Sequence, residues 1–202
     1  MRAVLFDFGG VLTSSPFEGL AAYEAEAGLP AGFIRRLNAA NPHSGAWARH
    51  ERGKIGLDEF CSAFEEEARR AGGQLDAREV LARLRGALRP KMLEAARRCH
   101  ERLATGLLTN GPAPLAEGQA AGVLGHFDVV VESCRVGLRK PEPAFYELAC
   151  SLLSVDPAQA AFLDDLGVNL KPAAAMGMRT IKVVDPDAAI AELEELVGFP
   201  LG

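Results

Sequence analysis

Three apolar runs in this sequence end on polar side chains that could share one task. Asp7 closes AVLFD and is followed by Phe8, Gly9 and Gly10; Thr109 and Asn110 close TGLLTN; Asp164 and Asp165 close AAFLDD. Carboxylates converging on one point repel unless a cation sits between them, and hard oxygen donors select magnesium, which bridges carboxylate and phosphate oxygens. The Thr109 hydroxyl can donate to a phosphoryl oxygen, and the free N–H groups at a following helix N-terminus favour the same anion. Lys140, in RKPEP, is held extended by Pro141 just before a helix start, where its ammonium can neutralise a phosphate or a nucleophilic carboxylate. Gly9 and Gly10 let the backbone turn tightly beside a ligand. Each feature alone has a plainer explanation, the aspartate as a turn or cap residue and the lysine as a solvated surface group. Their agreement is what points to chemistry.

The elements that must position these residues are legible as alternating short strands and helices. Val4, Leu5 and Phe6 read as a central parallel strand covered on both faces. Further strands are expected at Thr105–Asn110, Asp128–Glu132, Ala160–Leu163 and Arg179–Val184. Helices are expected at Lys91–Leu103, Pro112–Leu124, Pro141–Leu153, Leu170–Met176 and Pro186–Val197. Such alternation implies right-handed βαβ units, an α/β doubly wound parallel sheet, and ligand binding outside the carboxyl ends of its strands. Between residues 14 and 86 the pattern is helical throughout. The first helix has Phe17, Leu20 and Ala21 on one face; others follow over Ala31–Ala40 and His43–Lys54. Asp58 is the expected cap of a helix with Phe60, Ala63, Phe64 and Ala68 inward, and Asp76 caps one more, carrying Val80, Leu81, Leu84 and Leu88. The sequence therefore divides into a core of residues 1–13 and 87–202 and an inserted α-helical cap domain of residues 14–86.

Two hundred and two residues suffice for one core plus a small inserted unit. A net charge of −5 with no basic block argues against nucleic acid or an anionic membrane as partner. No apolar run is long enough to span a bilayer, and the N-terminal run stops at an aspartate rather than a cleavage site. Cys61, Cys99, Cys134 and Cys150 are widely spaced without a C-x-x-C pair, which reads as reduced structural thiols in a cytoplasmic protein. No G-x-G-x-x-G follows the first strand, so dinucleotide binding is not indicated. A response-regulator reading fails because its acidic pair should follow the first strand rather than a late one.

Four segments in order, FDFGGVL, LLTNG, RKPEPAFY and FLDDLGVNLKPAAAMGM, resemble the four motifs of the haloacid dehalogenase superfamily, with a helical cap inserted after the first strand. The wording of the first and fourth is most similar to the branch that includes the N-terminal phosphatase domain of soluble epoxide hydrolases and related acyl-CoA dehydrogenase-linked domains. The resemblance implies Asp7 as nucleophile, forming an aspartyl-phosphate that water hydrolyses. It implies Mg²⁺ on an Asp7 oxygen, the Gly9 carbonyl and Asp165, with Asp164 close behind. Gly9, Gly10, Thr109, Asn110 and Lys140 would bind and orient a phosphoryl group of a small phosphorylated substrate, and Asn169 would support the acidic loop. One departure stands out: the family's phosphatases usually carry a second aspartate two residues after the nucleophile, as general acid, where this chain has Gly9. Val11 likewise replaces a usual threonine. His43, His50 and Glu51 share a polar segment that could supply the proton but is read as surface, and Glu18, Trp47, Arg49 and Arg52 are further substrate-contact candidates. The departure keeps two other readings open, a metal-independent 2-haloacid dehalogenase and a catalytically weak binding domain.

Overall fold

The computed structural model describes residues 1–115 and 119–202, and its central element is β1 (Ala3–Asp7), buried along its whole length. Four strands flank β1 in the order 3-2-1-4-5: β2 (Ala104–Thr109), β3 (Val129–Glu132), β4 (Ala160–Asp164) and β5 (Arg179–Lys182), every pair parallel. Side chains of a strand alternate between faces, so β1 feeds two cores. Val4 and Phe6 pack with Met92, Ala96 and Cys99 of α6 (Pro90–His100) and Leu193 of α10 (Pro186–Val197); Ala3 and Leu5 pack with Phe145, Tyr146 and Ala149 of α8 (Pro143–Leu153) and Ala173 of α9 (Gly167–Ala175). Covered on both faces, these strands need no polar alternation, which is why their sequences read as continuous apolar runs.

Between β1 and α6 run α1 (Pro16–Glu26), α2 (Phe33–Ala40), α3 (Ala46–Glu51), α4 (Leu57–Arg70) and α5 (Ala77–Ala82). They enclose a third hydrophobic cluster of their own, built from Leu20, Tyr23, Phe33, Ile34, Phe60, Phe64 and Val80. The two chain crossings into and out of this helical unit lie together. Thr13 pairs with Leu88 in an antiparallel bridge, Ser14 N donates to Ala87 O at 2.8 Å, and Arg89 N donates to Leu12 O at 2.8 Å.

Several local expectations are corrected. Asp58 does not cap α4; Gly56 holds that position and Asp58 pairs with Arg78 from the first turn. Asp76 does cap α5, accepting from Arg78 N and Glu79 N. Ala21 faces solvent, while Leu20, Tyr23 and Glu24 form the buried face of α1. Of the expected helix Pro112–Leu124, residues 116–118 lie outside the described residues, and Gln119–His126 is a 3₁₀ helix. Two prolines ahead of it and Gly122 and Gly125 within it disfavour a regular α-helix. α9 starts three residues earlier than expected and accommodates Pro172 in its interior. A one-turn helix, α7 (Ser133–Val136), follows β3. Among the described residues no helix is long and apolar enough to cross a membrane.

Candidate active site

The strand register brings the polar residues together. Phe6 is paired with Leu163, so Asp7 and Asp164 leave neighbouring strands side by side, and Asp7 lies opposite Leu108, one residue before Thr109. All three strands run the same way, so this is the carboxyl end of the sheet. Oxygens of Asp7, Asp164 and Asp165 lie within 4.8 Å of one another.

Lys140 reaches the same point from the turn between α7 and α8. Its Nζ is 2.7 Å from Asp7 Oδ1 and 2.7 Å from Asp164 Oδ2, and the side chain is 2% exposed. Burial alone would depress this ammonium, but Asp7 and Asp164 outweigh burial and hold it above its ordinary value. The Lys140 main chain is fixed as firmly. Lys140 N donates to Asn110 Oδ1 and Asn110 Nδ2 donates to Lys140 O, both at 2.9 Å. The side-chain amide of Asn110 is thus occupied by the lysine loop.

The three carboxylates are held differently. Asp164 is fully buried and saturated, accepting from Leu166 N at 2.8 Å, from Asn169 Nδ2 at 3.0 and 3.1 Å, and from Lys140. Asn169 is fixed in turn, its carbonyl accepting from Tyr146 Oη at 2.7 Å. Asp7 Oδ1 accepts from Phe8 N at 2.6 Å and from Lys140, while its Oδ2 has no hydrogen-bond donor among the described residues. Asp165 accepts no hydrogen bond from another described residue. Burial, opposed by Lys140 and reinforced by Asp164, pushes the Asp7 carboxyl up to about 8; burial and Asp164 push Asp165 up to about 6.

Whether a divalent cation fits can be judged from the donors. With all three carboxylates ionised, one ammonium would leave two negative charges uncompensated, and Asp7 and Asp165 are raised in answer to burial and that repulsion. A divalent cation in place of the protons would balance the site, and the oxygens without a donor, on Asp7 and Asp165, are hard ligands suited to Mg²⁺. The loop makes room for them: Gly10 has φ +78°, and a Cβ there would lie 2.5 Å from Asp165 Cγ. Gly9 has an ordinary φ of −71°. Thr109 is buried at the end of β2, and Val11 is wholly buried in the core, so it does not face the site.

Sequence reading missed four residues around this centre. Arg89 Nη1 donates to Gly10 O at 2.8 Å, bracing the Asp7 loop from the chain crossing. Ser133 Oγ accepts from Gly111 N at 3.0 Å and donates to Glu51 O at 2.6 Å. Arg139 and Glu142 bracket Lys140 and pair with Glu51 and Arg52 of the helical unit. The only signal for Arg139 and Glu142 was their charge within RKPEP, which any surface loop can show. The reading of the polar segment as surface holds for His43 and fails for His50, which is buried, stacks on Phe60 and places Nδ1 3.0 Å from Ile55 O. Glu51 is ion-paired and accepts from Trp47 Nε1 at 2.9 Å, so the Glu51 carboxylate and the Trp47 N–H are both engaged within the protein. Arg49 pairs with Glu59 at the surface, and Glu18 is exposed.

Comparison with known proteins agrees with this geometry. The family model for haloacid dehalogenase-like hydrolases matches residues 1–177. The chain is 38% identical over 99% of its length to acyl-CoA dehydrogenase family member 10 of Mus musculus, and 34% identical over its whole length to bifunctional epoxide hydrolase 2 of Sus scrofa. It spans only 19% and 40% of those two longer proteins. It is 30% identical to a sesquiterpene phosphatase of Aspergillus oryzae, covering 98% of this chain and 97% of that one. Among solved structures, a Bacteroides thetaiotaomicron enzyme in complex with magnesium and inorganic phosphate shares the fold, with TM-score 0.63 and 19% identity over 90% of this chain and 93% of that one. An L-2-haloacid dehalogenase of Xanthobacter autotrophicus does so equally, with TM-score 0.63 and 22% identity over 100% of this chain and 84% of that one. The four motifs, the sheet that gathers them and the family match agree, and the chain belongs to the haloacid dehalogenase-like hydrolases.

Proposed function

We propose that the chain is a magnesium-dependent phosphomonoesterase that acts on a small phosphorylated metabolite through an aspartyl-phosphate. The observation that carries this reading is the unbalanced charge of the site, three carboxylates around one buried lysine, with Asp7 Oδ2 left without a donor. A halide-displacing site needs no second and third carboxylate. The phosphatase relative that matches end to end supports the same class.

In this reading one Asp7 carboxylate oxygen attacks phosphorus, the bond to the leaving oxygen breaks and that oxygen departs as an oxyanion that takes a proton from solvent. Water later attacks the acyl phosphate, releasing inorganic phosphate and restoring the carboxylate. Lys140 holds the other Asp7 oxygen, orienting the nucleophile and balancing charge that gathers on the phosphoryl oxygens. The Thr109 hydroxyl donates to that group, and Asn110 helps to orient it by fixing the Lys140 loop. Asp7, the Gly9 carbonyl and Asp165 would hold Mg²⁺, whose contribution is Lewis-acid stabilisation of phosphoryl charge. Asp164, already saturated, orients Lys140 instead. Residues 14–86 act as the cap over the leaving group, on a core of residues 1–13 and 87–202. The four free cysteines fit a cytoplasmic setting.

Gly9 supplies no general acid, and that help is worth ~10² to 10⁴-fold. Phosphates with good leaving groups should therefore be turned over best. The test is hydrolysis of p-nitrophenyl phosphate and acetyl phosphate beside sugar and other alkyl phosphates, with Mg²⁺ or EDTA, by wild type and Asp7→Asn. Metal-dependent turnover lost in Asp7→Asn is the expected result. Halide release from 2-chloropropionate in EDTA, without phosphate release under any metal, would replace this reading with dehalogenation.

A further inference from the structure

The turn that delivers Lys140 is gripped from the helical unit at both of its ends. Within the turn, Glu142 N donates to Arg139 O at 2.9 Å and Arg139 N donates to the Glu142 carboxylate at 3.3 Å. From α3, Glu51 pairs with Arg139 at 2.7 Å, and the next residue, Arg52, pairs with Glu142. The two pairs are crossed in sign: the helical unit presents an acid and then a base to a base and then an acid. Arg139 Nη1 also donates to Pro42 O at 2.8 Å, and Glu51 O accepts from Ser133 Oγ, which also holds Gly111 beside Asn110. Gly53 packs so closely on the Cys134 carbonyl that a Cβ there would lie 2.5 Å from its oxygen.

These charges are withdrawn from water. The side chains of Arg52, Glu51 and Arg139 are 9%, 12% and 15% exposed, and that of Glu142, the outermost of the four, 27%. Exposed ion pairs contribute little, whereas a pair this shielded leaves an uncompensated charge when one partner is lost. Crossed signs also fix register, because sliding α3 along the turn sets like charges against each other. Between the gripped ends, Lys140 has no slack: Asn110 holds its main chain, and Asp7 and Asp164 hold its ammonium.

We infer that Glu51, Arg52, Arg139 and Glu142 form a clamp that makes docking of α3 on the core and placement of Lys140 a single event. They are positioning residues, and the inference rests on the phosphatase reading for the use made of Lys140. A misplacement of about 1 Å at a reacting group can cost on the order of 10²-fold in rate. The charged groups of Glu51 and Arg52 are thereby committed to the core rather than offered to a substrate.

The experiment is charge reversal on the full chain, with Glu51→Arg, Arg139→Glu and their combination, and Glu51→Gln as a milder variant that keeps an acceptor for Trp47. Turnover of p-nitrophenyl phosphate and hydrogen exchange of residues 42–54, 137–142 and α10 are read for each. Each single reversal should lower kcat by on the order of 10²-fold with little change in KM, and speed exchange in both 42–54 and 137–142 while α10 stays protected. The double reversal should recover at least ~10-fold of kcat over either single variant. Faster exchange in 42–54 with kcat and the 137–142 segment unchanged would overturn the clamp, as would a double variant no better than the singles. Should wild type hydrolyse no phosphate ester, the phosphatase reading falls and exchange alone decides. Joint loosening of the two segments then upholds the clamp, and an unchanged 137–142 segment refutes it.

Discussion

Two adjacent glycines in the Asp7 loop have opposite tolerance for a side chain. Gly10 sits at φ +78° against the Asp165 carboxylate, a conformation that costs an L-residue ~1–2 kcal/mol even without the collision. Gly10→Ala should therefore keep the fold but weaken Mg²⁺ binding about 10-fold or more, read by calorimetry; unchanged binding would mean that Asp165 is not a ligand. Gly9 has an ordinary φ, and a Cβ there meets only Pro16 ring carbons at 3.7 and 3.8 Å. Gly9→Asp should fold, and should raise kcat on alkyl phosphates by on the order of 10²-fold while changing p-nitrophenyl phosphate little. An equal effect on both substrates would show that the new carboxyl does not act as general acid. The thiols can be tested at this scale too. Burial pushes Cys99 up to about 12 and Cys150 up to about 11, so neither should be alkylated by iodoacetamide in the native protein, as mass spectrometry would show; both should react once it is unfolded.

Two of the helices between β1 and α6 borrow their caps, unlike α1 and α5, which Ser15 and Asp76 cap locally. α2 and α3 start at glycines that offer no side-chain oxygen, and the free N–H groups are met from elsewhere. Glu24 of α1 accepts from Gly32 N at 2.6 Å and Ile34 N at 2.8 Å, and Glu67 of α4 accepts from Ala46 N at 2.9 Å. Glu24 is buried, so Glu24→Gln should lower the unfolding free energy by ~1–2 kcal/mol in urea without changing the slope. A loss below ~0.5 kcal/mol, as for a surface change, would contradict the capping role. The same feature explains which elements were legible in the sequence. α10 carries Asp185 as cap, Pro186 at its first turn and Gly198 in the left-handed region at its end, and its bounds follow from those local signals. α2 and α3 have no such signal, and both begin two or three residues later than their sequence suggests. The site divides likewise. Asp7, Thr109, Asp164 and Asp165 are legible because each closes a buried strand, and Lys140 because it precedes a proline. Arg89, Arg139, Glu51 and Glu142 matter through contacts between distant segments, which no local pattern encodes.

Across the whole molecule, the acidic centre sets stability against function. Burial and mutual repulsion raise Asp7 to about 8 and Asp165 to about 6 from an ordinary 3.8, so in the folded protein both bind protons more tightly than in the unfolded chain. For an acid raised in this way, folding is favoured while the proton stays on, and stability falls as pH rises through the interval between the two values. Those intervals run from 3.8 to about 6 and from 3.8 to about 8. Lys140 is raised from 10.5, so its favourable contribution persists below that value and does not offset the decline. In EDTA the melting temperature should fall between about pH 5 and pH 8, and Asp7→Asn, which removes the carboxyl raised furthest from its ordinary value, should flatten the decline and raise the value at pH 8. A divalent cation competes with those protons, so Mg²⁺ should stabilise the wild type more at about pH 8 than at about pH 5, and Asp7→Asn should lose most of that gain. Calorimetric scans of both proteins at the two pH values, with Mg²⁺ or EDTA, measure all of this at once. A wild type whose melting temperature is level across this range in EDTA, and indifferent to Mg²⁺, would mean that the three carboxylates are balanced by the protein alone and that no cation belongs among them.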